Sequence, residues 1–374
     1  MAWLGTKRVA FVPVDRGLYN EYPVPSDWKG DIERRVYHDR DPATGMDVSL
    51  RSFILTMSQN RADIAGEVLD TITFLQKAVE PKDLKAQLDP IVQSGKYDAG
   101  AVVMLGGPGA GRNYGFWSRF VMAEGVGVWA MEVMHGLTGM VDLYSQLVPH
   151  DLGGFDTMAC SCGTHLTAYT RTLLEWLDPS SIAVDALADA GYVLHATSLG
   201  PAPLARVQAV QTQGSGLQVI VEARLRGDQF DGPNRYNHVG IPSEGVIVYE
   251  VVGVEDPKLP PERDPLIRLL TPTALQPGQS FTSESGIRVR VDAAVTGGFA
   301  VTIHNPTAPV EVPDLRETKA ALATNRLQSV GLLPHFEGST AGNARVFSQH
   351  PTAGELVQRG TTVTLYMKST PHPL

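Results

Sequence analysis

Hydrophobic positions divide the chain into three textures. In the first, continuous apolar runs alternate with helical spacing. Arg8-Val9-Ala10-Phe11-Val12-Pro13-Val14 is apolar on successive positions, which predicts a central strand covered on both faces. Asp98 to Leu105 predicts a second such strand, closed by the glycine-rich run Gly106 to Gly111. Trp28 to Thr44 is charged and loop-like, with a short helix near Ile32. Ser49–Met57 and Ala65–Leu75 fit strand or helix equally well. Pro81–Ser94 has helical spacing through Leu84, Leu88 and Val92. Two stronger helices are predicted over Val126–Leu137 and over Thr164–Leu177, the second stopped by Asp178-Pro179.

After Ile182 the period changes to two. Leu217–Leu225, Gly245–Val252, Ile287–Val291 and Phe299–Ile303 sit between Gly, Pro, Asn and Asp turns, the pattern of a β-sandwich. Pro306 to Pro313 holds three prolines and reads as a stiff linker. A third texture follows, a helix over Glu317–Val330 with apolar Ala320, Ala323 and Leu327, then strands, all within about 57 residues. The expected organisation is α+β: a unit over 1–180, a β-rich unit over 181–306, a linker at 307–311 and a small α+β module over 312–374.

Composition narrows the partners. The net charge of −9 and the absence of any Lys/Arg run argue against nucleic acid. No stretch reaches the roughly 18 apolar residues of a membrane span. The opening residues lack the apolar core of an export signal, so none is expected in the chain as it stands. Cys160 and Cys162, two residues apart, are expected as thiols, because so short a bridge strains disulfide geometry.

Candidate chemistry starts at Met131-Glu132-Val133-Met134-His135. A zinc-peptidase helix reads H-E-x-x-H, with two histidines one turn apart on the metal and the glutamate as general base. Here Glu132 would be the base, His135 one ligand and Asp142 a carboxylate ligand beyond the helix. Taken alone, a Glu and a His at this spacing are more commonly surface residues or a satisfied pair. A di-iron bundle needs a second E-x-x-H, and none is visible.

Asp142-Leu143-Tyr144, Phe155-Asp156-Thr157-Met158 and Trp176-Leu177 follow in order. Further on come Val219-Ile220-Val221-Glu222-Ala223-Arg224 and Pro242-Ser243-Glu244-Gly245-Val246-Ile247-Val248-Tyr249. This succession, over roughly residues 5–305, resembles the immune inhibitor A family of secreted bacterial zinc metallopeptidases. The resemblance implies a zincin-like domain, a methionine (Met158) beneath the metal, and a secreted or cell-surface bacterial protein. Two departures matter. Met131 stands where the family has its first histidine, and a thioether is a poor zinc ligand. Asp142 lies eleven residues after position 131, against ten in the family.

Three readings follow. The first is a pseudoenzyme holding zinc weakly or not at all, its cleft kept for a peptide or protein ligand. The second is an active metallohydrolase with Glu132 as base and an unusual ligand set, in which Cys160, Cys162 and His165 are the candidate substitutes. The third is a purely structural chain, its cleft filled by side chains such as Trp129 or Tyr144; as a variant of the site chemistry, Cys160 or Cys162 would be a nucleophile activated by His165 or His135. Separately, Asp228, Asp231 and Asn234 are a candidate calcium loop, or else a turn held by Asx hydrogen bonds. The glycine run at 106–111 lacks the Gly-Lys-Ser/Thr ending of a phosphate loop and reads as a surface loop.

At the C-terminus, Val312-Pro313-Asp314-Leu315, the helix, Gly331-Leu332, Ser348-Gln349-His350-Pro351, Gly354, Val357 and Gly360-Thr361-Thr362-Val363-Thr364-Leu365 resemble the PASTA family nearly end to end. That resemblance implies attachment to peptidoglycan fragments on a bacterial surface.

Overall fold

The protein is described by a computed structural model covering residues 2–15, 24–70, 72–73, 85–107, 111–144, 152–185, 189–213, 218–251, 267–306, 308–340 and 344–368. It is a mixed α/β chain, richer in sheet than in helix, ending in a small separate module.

In the N-terminal part, β1 (Gly5–Asp15) lies between two parallel neighbours, β2 (Ala62–Val68) and β4 (Ala99–Met104); Val9 faces both Gly66 and Ala99. β3 (Ile72–Thr73) extends the pairing beyond β2. β6 (Trp117–Val121) runs parallel to β4, and β5 (Arg112–Tyr114) closes this edge antiparallel. The continuous apolar run of β1 is explained by cover on both sides. Val9, Phe11, Ala101 and Val103 share a core with α1 (Trp28–Tyr37), α2 (Leu50–Met57) and α4 (Val126–Thr138). Val12, Val14, Val102 and Met104 face the other way, against Leu88 of α3 (Lys85–Gln93).

Of the two segments that pattern alone leaves open, 49–57 is helical and 65–75 is strand where it pairs, at 65–68 and 72–73; residues 71, 74 and 75 lie outside the described residues. Ser49 caps α2 by accepting from the Ser52 amide, and Ala62–Val68 pairs as a strand. The helix near Ile32 is a full ten residues. The part of the 81–94 helix before Lys85 lies outside the described residues, as do Gly106–Gly111 positions 108–110. The helix expected over Thr164–Leu177 is a correction. α6 spans only Ala168–Leu173, because Thr167 caps it and the threonines before it bond elsewhere. Between α4 and α6 sits the one-turn α5 (Thr157–Cys160).

β7 (Ile182–Asp185), β9 (Ala209–Gln213), β10 (Gln218–Arg224), β11 (Gly245–Val251) and β12 (Ile267–Leu269) form one sheet in the order β12-β11-β10-β9-β7. The facing sheet is β13-β14-β15-β8, made of Ser280–Thr282, Arg288–Val295, Gly298–His304 and Asp189–His195 in that order. Val210, Val219, Val221, Val246 and Val248 pack against Val289, Val291, Val301 and Ile303 between the sheets. The outer face of the first sheet is not solvated. Ile220, Ile247 and Tyr249 join the same core as Trp129 and Met158, so the sandwich braces the N-terminal helices.

The C-terminal module has its own core, with Val312, Leu315, Ala323, Leu327, Val346, Val363 and Leu365. Its elements are β16 (Val310–Glu311), α7 (Ala320–Ser329), β17 (Leu333–Glu337), β18 (Arg345–His350), β19 (Leu356–Val357) and β20 (Thr362–Lys368). β20 lies between β17, parallel, and β18, antiparallel. The linker reading of 307–311 needs correcting at its end: Val310 and Glu311 pair with Val357 and Leu356 and belong to the module. Among the described residues no helix is long and apolar enough to cross a membrane.

Candidate functional site

α4 carries the site. It is buried on nearly every side, as expected of a helix without a polar face. Gly139 ends it in the left-handed conformation (φ 68°), its N–H returning to the His135 carbonyl. The reversal carries Met140 and Asp142 back over the last turn. His135 Nδ1 lies 2.5 Å from the Met140 carbonyl oxygen, which makes Nδ1 the protonated nitrogen. Nε2 is thereby aimed at Asp142 Oδ1, 2.9 Å away. Burial alone would lower the His135 pKa; the Asp142 hydrogen bond and the Met140 carbonyl outweigh it and hold the imidazole above its ordinary value. Tyr144 adds its hydroxyl to Asp142, and burial together with that carboxylate pushes the phenol up to about 12.

Glu132 sits 6% exposed, and its Oε2 has no hydrogen-bond partner. Desolvation pushes its carboxyl up to about 7. The backbone at Gly111, where the glycine-rich run enters β5, presses on this side chain. A Cβ there would lie 2.3 Å from Oε1.

Met131, one turn before His135, is 2% exposed. Its sulfur accepts a hydrogen bond from Ser161 Oγ at 2.8 Å. Met131 and His135 lie one turn apart on the same face of α4, and the contact to Ser161 engages the sulfur at that position. Met158, in α5, is fully buried in the core shared with α4. It is held by Asp156, whose carboxylate accepts from the Met158 and Thr167 amides and the Thr167 and Thr170 hydroxyls.

The proposed substitute ligands do not join His135. Cys160 and Cys162 are bridged as a disulfide, with Cα atoms 5.1 Å apart, which corrects the expectation of two thiols. The separation is within bridging range because Ser161 turns through the left-handed region (φ 54°). This also removes the free thiol that a nucleophile needs. His165 instead holds Asp228, Nε2 to Oδ2 at 2.6 Å.

In the candidate calcium loop the carboxylates are engaged by protein groups. Asp228 Oδ1 accepts the Phe230 and Asp231 amides, and Asp231 takes the Arg224 guanidinium and the His165 amide. Asn234 closes two further Asx turns onto Tyr236 and Asn237.

Sequence reasoning missed the structural role of Arg224. Fully buried, it donates to Asp231, to Glu222 and to the carbonyls of Phe155 and His165, tying β10 to the segment that carries Met158. A signal was present: two opposite charges, Glu222 and Arg224, inside an otherwise apolar strand.

As a zinc site the donor set falls short. A catalytic zinc takes three protein ligands. Here His135 and Asp142 meet, the third place is a thioether that accepts from Ser161, and the two cysteine sulfurs are bonded to each other. Among the described residues no group of three or more His, Cys, Asp or Glu side chains is arranged to hold a metal ion. Within the cluster the hydrogen bond is the one between His135 and Asp142, with Glu132 buried one turn earlier on the helix.

Comparison with curated proteins finds no match to the chain. Residues 310–369 match the PASTA domain family, and the C-terminal module is a PASTA domain.

Proposed function

We propose that this is a metallopeptidase-like protein without zinc-dependent peptidase activity, which works as a binding or scaffold protein at the bacterial cell wall. In this reading residues 1–180 are a zincin-like domain of immune inhibitor A type that presents a cleft to a peptide or protein. Residues 181–306 brace that cleft, and the PASTA domain attaches the chain to peptidoglycan fragments. The protein is then secreted or displayed on the cell surface.

The observation that carries the reading is the Met131–Ser161 contact. The side chain where a first histidine is required is a sulfur already engaged by a hydroxyl. The meeting of His135 with Asp142, and the packing of Met158 in the core beside α4, support descent from a metal site.

A second reading, an active metallohydrolase with Glu132 as base, is favoured by the raised carboxyl and its unpartnered oxygen. Met131→His separates the two. In the first reading the variant gains tight zinc binding by calorimetry, while the unaltered protein hydrolyses no peptide. Peptide hydrolysis by the unaltered protein, lost in Glu132→Gln, would establish the second.

A further inference from the structure

The bridge between Cys160 and Cys162 does little for the fold. It encloses a single residue, and a loop that short removes far less freedom from the unfolded chain than a bridge enclosing tens of residues. The turn is moreover closed without it. Asp156 caps α5 at one end, and Thr157 Oγ1 donates to the Thr164 carbonyl at 2.6 Å across the other. Gly127 lets the backbone of Ser161 and Gly163 seat directly on α4, where a Cβ would lie 2.2 Å from both. The backbone that carries both cysteines is therefore closed by contacts other than the bridge.

The two sulfurs are also open to attack. Cys160 and Cys162 are both partly exposed, in a stretch whose neighbours on either side are buried. The Cys162 amide points at Cys160 Sγ, 3.2 Å away, and Thr164 Oγ1 lies 3.6 Å from Cys162 Sγ. These are donors that stabilise a sulfur leaving as thiolate.

We propose that Cys160–Cys162 is a redox-active disulfide that exchanges with a dithiol. One thiolate of the dithiol attacks a cysteine sulfur, forming a mixed disulfide and expelling the other sulfur as thiolate. The second thiolate of the dithiol then displaces the remaining cysteine. Two electrons pass to the pair, two protons complete its thiols, and the dithiol leaves oxidised to its own disulfide. The prepared geometry makes the reverse reaction equally direct. This inference stands apart from the proposed function, since it uses neither the metal position nor the PASTA domain.

The test is differential alkylation of the folded full-length protein, read by intact mass, with dithiothreitol as the dithiol. The expected result is no alkyl group before reduction, two after it, and restored protection once oxidised dithiol is returned. Melting of the reduced protein, and of Cys160→Ser/Cys162→Ser, should fall within about 3 °C of the oxidised form. Alkylation without reductant, resistance to dithiol short of unfolding, failure to re-form, or a collapse in melting temperature would each overturn the proposal.

Discussion

His135 Nε2 and Asp142 Oδ1 stand 2.9 Å apart, so the one imidazole of α4 at this site is closed onto a carboxylate by the reversal at Gly139. Held above its ordinary value, His135 contributes stability that is whole below an imidazole pKa of about 6.5 and is lost as pH rises through the raised value. Titration of the His135 ring by NMR should give a midpoint above that of a free histidine. In Asp142→Asn the midpoint should fall, because the charge that sustains the imidazolium is gone.

Glu132 has the same sign from a different cause. Burial raises its folded pKa to about 7, so the neutral acid is favoured in the fold. Its contribution is intact below the unfolded value of about 4.3 and is lost as pH climbs through about 7. Glu132→Gln keeps a neutral side chain at every pH. Urea denaturation should show the variant and the parent alike near about pH 4 and the variant more stable above about pH 8. The difference expected is on the order of 3 kcal/mol.

Arg224 joins β10 to the segment bearing Met158. Arg224→Met would leave the buried carboxyl groups of Glu222 and Asp231 without their cation. Such a loss typically costs about 3–5 kcal/mol. Urea denaturation should show a loss of that size, far beyond the effect of removing an exposed pair such as Arg316–Asp314.

The PASTA domain has a core separate from the rest. Ending the chain after Pro306 should leave the melting of the remainder in place and abolish co-sedimentation with insoluble peptidoglycan. Leu327→Ala, which empties the centre of that small core, should cost about 2–5 kcal/mol and weaken sedimentation in step with unfolding.

What the sequence made legible follows from how locally each feature is encoded. Val9–Val14 announced a strand covered on both faces, and the regular spacing of Val126–Leu137 announced α4, because each pattern is written within one element. The PASTA domain was readable for the same reason, its turns and strands being compact in sequence. Ser49–Met57 stayed open because a short apolar stretch fits either period until its cap is seen. The short α6 was hidden because Thr164 and Thr167 bond to Thr157 and Asp156, partners supplied by an earlier segment. The same holds for the site. Glu132, His135 and Asp142 were singled out by motif, and of these the structure joins His135 to Asp142, whereas the disulfide, the His165–Asp228 pair and the Arg224 network depend on contacts made across the fold.

The central claim, that α4 has lost its grip on zinc at Met131, is tested most directly by the zinc content of the purified full-length protein after dialysis against a weak chelator. The account predicts far less than one zinc per chain, rising to about one in Met131→His as the third ligand returns. One firmly held zinc per chain in the unaltered protein, released by Asp142→Asn or His135→Ala, would contradict it.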